Sequence, residues 1–143
     1  MADPNELMDE LAERARQAKE HVHASASATK ERLESEVSAA RASAEQSNSQ
    51  LEHKAAGAHD EASKHWSAAR QNWNAHIAQI RRKADAQKAS LDLDRAQNRA
   101  HDRETDAVMA VDFALQAVEE AEYEVLDAIL ARAEANQMAA ANA

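Results

Sequence analysis

Apolar side chains return every eleven residues along most of this chain: Leu11, Val22, Leu33, Ala44, Ala55, Trp66 and Ile77. A weaker row keeps the same step through Ala18, Thr29, Ala40, Leu51, Ala62, Trp73 and Ala84. Eleven residues over three turns is about 3.67 per turn, so such a row runs nearly straight down one face of a long α-helix. The pattern predicts an all-α fold with a greasy seam that some other surface must cover. It specifies an architecture and not an activity.

Composition explains why a partner is expected. Of the apolar residues, 37 are Ala and 26 are larger, and the aromatics are only Trp66, Trp73, Phe113 and Tyr123. Alanine favours the helix but buries little surface, so stability must come from packing against something else. The mean hydropathy of -0.75 agrees with a thin core. No apolar run approaches the roughly 18 residues of a membrane span, and the first residues lack a basic-then-apolar leader. With no Cys to form disulfides, the expectation is a protein of the cytoplasm. The charge is uneven. Residues 1–90 carry 13 Lys+Arg against 14 Asp+Glu, whereas residues 91–143 carry 4 against 12. That acidic final third argues against nucleic acid as a partner, because phosphate neutralisation needs clustered cations.

The boundaries follow from caps and phase. Asp3 suits an N-cap, Pro4 the first helical position and Glu6 the third, so a helix opens here. The eleven-residue row passes through Gly57 in phase, which predicts one long helix over residues 3–93, ~130 Å in length. A polar connection is expected at 94–103, where Asn98 closes one helix and Asp102 caps the next. An acidic, more hydrophobic helix follows over 104–138, then a frayed tail at 139–143. Together these describe an elongated helical hairpin or coiled coil. Two rivals stand beside it: a three-helix bundle with an extra turn near residue 57, and a continuous helix that merely switches faces across 94–103.

In this arrangement the packing residues are Leu11, Val22, Leu33, Leu51, Trp66, Trp73, Ile77, Ile80 and Leu91 on the long helix. On the acidic helix they are Val108, Val111, Leu115, Val118, Leu126 and Ile129. Folding back would set Trp73 beside Glu122 or Tyr123, and Ile80 near Leu115. Glu122 falls in the middle of the second apolar face, so a cation must answer it if it is buried, and Arg70, His76 and Arg81 are the candidates. The bland role for that pair is to fix register; the sharper one is a ligand or proton site. Arg70 also lies between Trp66 and Trp73, where stacking on an indole is open to it.

Chemistry is poorly supplied. The seven His have no i,i+4 partner among themselves, and Glu61 with His65 makes only two ligands of a metal site. The paired Glu-x-x-His motifs of a di-metal bundle do not occur. A single Gly rules out glycine-rich phosphate loops. No catalytic, metal or cofactor residue is therefore assigned, and no cofactor is expected.

The Ala/Glu/Lys-rich repeat over residues 7–91 resembles late-embryogenesis-abundant helical proteins and exchangeable apolipoproteins. That likeness implies helices used for protection during water loss or for reversible contact with lipid surfaces. The segment Ala121-Glu122-Tyr123-Glu124-Val125-Leu126-Asp127-Ala128 also resembles the ends of small helical proteins of high-GC bacteria. From the residues themselves the expected function is a non-enzymatic coiled-coil scaffold or spacer. It self-associates as a homo-oligomer through residues 7–91 and is open to a further protein partner. A lipid-surface or desiccation protein is the first alternative, and a small-ligand or metal-binding bundle around Glu122 the second.

Overall fold

The computed structural model describes residues 3–57, 60–89 and 92–142, with only the backbone at 55 and 60–63. It contains four helices: α1 (Pro4–Ser25), α2 (Lys30–Ala56), α3 (Asp60–Ala89) and α4 (Leu93–Ala141), with no strand among the described residues. The all-α expectation holds. The single helix over 3–93 does not, because the chain breaks after Ser25, after Ala56 and again before Leu93.

Each break has a local cause. Asp3 begins α1 as expected: its carboxylate accepts from the Asn5 amide at 3.0 Å and its carbonyl from the Leu7 amide at 3.1 Å. At the far end, Ala26 and Ala28 donate to the carbonyls of His23 and Ser25, the tighter i→i+3 spacing that closes a helix. Thr29 then caps α2, its hydroxyl accepting from the Arg32 amide at 3.2 Å. His23 ends α1 and Glu31 opens α2, so each terminal charge suits its helix dipole.

At Gly57 the turn that had stood as the alternative is present, but it yields four helices where the rival foresaw three. Gly57 has no positive φ, and an added Cβ would meet only the carbonyls of His53 at 3.4 Å and Lys54 at 3.8 Å. The glycine thus acts through low helix propensity, about 1 kcal/mol below alanine, and not through a left-handed turn.

The expected connection at 94–103 lies inside α4. The cap is Asp92, ten residues before Asp102; its carboxylate accepts from the Arg95 amide at 2.9 Å. Beyond it the helix closes over the polar window with an Arg103–Asp106 ion pair at 3.1 Å and a Thr105 hydroxyl donating to the His101 carbonyl at 3.0 Å. The face-switching helix describes this stretch correctly. The second helix accordingly starts at Leu93 and not at 104, and residues 139–141 form its last turn. Its 49 residues span about 70 Å at 1.5 Å per residue.

The chain divides into two compact units, residues 17–91 and the combination of 1–16 with 92–143. In the first, ion pairs run Arg41–Asp85, Glu45–Arg81 and Glu52–Arg70. The partner's number falls as the position on α2 rises, so α2 and α3 form an antiparallel hairpin about Gly57. His21 meets Glu36, which turns the end of α1 back onto the start of α2. Among the described residues only Ala84 is buried. In the second unit, Asp3, Pro4 and Asn5 share a groove with Ala128, Ile129 and Arg132 of α4.

Candidate functional site

Two surfaces hold the residues that the sequence singles out. The first is the groove between α2 and α3, lined by Ala44, Asn48, Trp73, Ile77 and Ala78 with a rim of charges. Ala44 and Ile77 both belong to the eleven-residue row, and here they face the same groove. Part of the seam expected to need a second chain is covered by its own continuation, folded back at Gly57. Trp73 and Ile77 thus share a groove with Ala44 and Asn48 of α2.

The rim is a chain of ion pairs. Arg41 donates both guanidinium nitrogens to Asp85 at 3.2 Å, which raises the Arg41 pKa further. Glu45 lies 3.6 Å from both Arg41 and Arg81. Arg70 is the most covered of these cations, its side chain 10% exposed, and its partner is Glu52 at 3.2 Å. Its Nε is buried without a hydrogen bond. Arg70, one of the three cations expected to answer Glu122 if it is buried, has Glu52 of α2 as its ion-pair partner. Exposed pairs of this kind orient helices more than they stabilise them.

At the α1–α2 corner, the hydrogen bond from His21 holds the Glu36 carboxyl below the usual carboxylate range. Partial burial opposes this, while the positive charge of His21 and Arg32 adds to it. Among the described residues no three His, Asp or Glu side chains come together as a metal site would need. His59 and the side chain of Glu61 lie outside the described residues, as does Leu91.

The remaining packing candidates are not brought together in one core. Leu11, Val22, Leu33, Leu51 and Trp66 are exposed, and Ile80 is half-buried. Trp66 lies edge-on to His65, with ring centres 5.5 Å apart.

The second surface is α4. Val108, Val111, Leu115, Val118, Leu126 and Ile129 are all exposed, four of them close to 60%. Met109, Phe113, Tyr123, Leu130 and Met138 add further exposed apolar surface on the same helix. At 100° per residue, Val108, Val111, Leu115, Leu126 and Ile129 fall within about 60° of one another. Glu122 lies inside that sector as foreseen, but it is exposed with the rest of the face and not buried.

One signal in α4 escaped the eleven-residue reading. Ala100, Ala107, Ala114, Ala121, Ala128 and Ala135 recur every seven residues, with Val111, Val118 and Val125 four positions after three of them. A sevenfold return marks a coiled-coil seam of about 3.5 residues per turn. Ala121 and Val125 are partly covered, and Ala128 lines the groove shared with Asp3, Pro4 and Asn5. Asp3, Pro4 and Asn5 thus reach one end of that series, at Ala128, while Val108, Val111, Leu115 and Leu126 beside it are exposed.

No family model, curated protein or solved structure matches the chain. Among the described residues no helix is long and apolar enough to cross a membrane.

Proposed function

We propose that the chain is a non-enzymatic, self-associating helical protein, a scaffold or spacer built on coiled-coil contacts and working in the cytoplasm. One observation carries this reading: eleven large apolar side chains crowd residues 108–130 of one helix, and all but Val125 are exposed. Isolated chains rarely leave apolar patches much beyond a few hundred Å² open to water, and larger ones mark interfaces. The seat of association moves from residues 7–91, the first expectation, to α4, because Ala44 and Ile77 of the eleven-residue row already face one another's helix and the exposed large side chains are densest on α4. Non-enzymatic character rests on the sequence, whose motifs offer no acid–base or nucleophile arrangement.

Sedimentation equilibrium across a broad dilution series, paired with circular dichroism, tests the reading. Mass above the 15.7 kDa of one chain, falling on dilution together with helix content, is expected. A fully helical monomer at every concentration would refute it. Lipid contact is the second reading, supported by the exposed Leu7, Leu11 and Val22 on one side of α1. Helix content rising only with vesicles is its signature.

A further inference from the structure

We infer that the exposed α4 face is a two-fold, antiparallel docking surface for α4 of a second copy, centred near Val118. The inference rests on the self-association proposed above and specifies its surface and direction. Area is the first argument. Val108, Val111, Leu115, Val118, Leu126 and Ile129 are 41–61% exposed. Together they offer on the order of 500 Å² of apolar surface per chain, or about 1,000 Å² for two, the lower bound for a specific interface.

Charge decides the direction. Glu119, Glu120, Glu122 and Glu124 crowd one and a half turns. A parallel pair in register would lay this run against its own image. An antiparallel pair centred between Val118 and Glu119 lays it against residues 113–118, Phe-Ala-Leu-Gln-Ala-Val, which hold no charge, so that the acidic runs approach each other only where Glu119 nears its own image at the axis. The same register sets Val108 opposite Ile129 and Val111 opposite Leu126, so aliphatic meets aliphatic at four layers. It also brings Glu104 of one copy within one residue of the level of Arg132 of the other, a side chain on the rim of the groove that holds Asp3, Pro4 and Asn5. Arg132 is the only Lys or Arg of residues 104–134, and among the described residues neither side chain holds an ion pair. A second copy thus satisfies apolar and charged positions with one register, as a two-fold interface requires.

Glu122 lies opposite Leu115 in this arrangement. A carboxylate in an otherwise apolar seam weakens association but makes other registers worse, the role polar core positions play in coiled coils. The native chain has no Cys, so single cysteines report the geometry without interference. Equal amounts of Val111→Cys and Leu126→Cys chains, mixed and oxidised, are expected to give the 111–126 cross-link at least fivefold above either same-residue product. Glu122→Leu is expected to tighten association at least tenfold. Same-residue cross-links prevailing, or association unmoved by Leu115→Lys, overturns the inference while leaving self-association standing. A wild-type chain that sediments as a monomer throughout overturns both.

Discussion

The α2–α3 hairpin and α4 meet the same difficulty, an alanine-rich helix with one apolar stripe, and meet it differently. In the hairpin, Trp73 and Ile77 of α3 line a groove with Ala44 of α2, and Arg41, Arg70 and Arg81 tie the two helices at three levels. Its larger apolar residues are few and most are on α3, where one antiparallel partner half-covers Ile77 and Ile80 while Leu33, Leu51 and Trp66 stay exposed. In α4, large aliphatics recur too often and on too much of the circumference for the first turns of α1 to cover. The density of large side chains, more than the period of the pattern, separates a helix with a partner in its own chain for part of its stripe from one whose stripe lies open.

The sharpest break between the two regions is charge on α4. Replacing Leu115 and Leu126 together by Lys is expected to abolish self-association, raising the dissociation constant more than ~100-fold by placing two cations in the apolar layers. Circular dichroism would report residues 17–91 still helical. Loss of the hairpin as well would mean the regions are not independent.

The converse change is smaller. Ile77→Ala is expected to lower the stability of the hairpin by about 1–2 kcal/mol, since the side chain is half-buried in the groove. Urea unfolding would read this, and sedimentation would be unaltered if association belongs to α4. A shift in both would tie the groove to the interface.

Smaller again is the cap at Thr29. Thr29→Ala removes the acceptor of the Arg32 amide and is expected to cost about 1 kcal/mol. Amide exchange should speed up at residues 26–33 and stay constant in α4. A Thr29→Asp chain should restore protection.

The least effect concerns the α1–α2 corner. Because His21 holds the Glu36 carboxyl below its ordinary value, this contact supports folding fully above the ordinary carboxylate pKa of 4.5. Its support fades as pH falls through the lowered value. Comparing acid unfolding of the wild type with Glu36→Gln isolates it: the variant is expected to lose that part of the pH slope and nothing at neutral pH beyond the pairing itself. An unchanged slope would remove the contact from the account.

Much of this was legible in the residues, though unevenly. The helical class followed from composition and period, and Asp3 with Pro4 marked the first helix correctly. The breaks were harder because a hendecad row does not distinguish a continuous rod from one folded at points that respect the phase. Thr29 and Asp92 are ordinary capping residues, hidden because the row ran through one and because attention fell on Asn98 and Asp102 beyond the other. In α4 the eleven-residue frame obscured the sevenfold alanine series, of which Ala128 lies in the groove with Asp3, Pro4 and Asn5. Glu122 was correctly placed on the apolar sector, but whether that sector is covered depends on surfaces that no single-chain pattern specifies. The pairing of Arg70 with Glu52 was not legible, since the two become neighbours only once the chain turns at Gly57.

That Ala84 is the one buried residue described has a calorimetric consequence. A chain that dehydrates so little apolar surface alone gains only a small heat capacity on melting. Its thermal transition should be broad when dilute, and should sharpen and climb in temperature as protein is added.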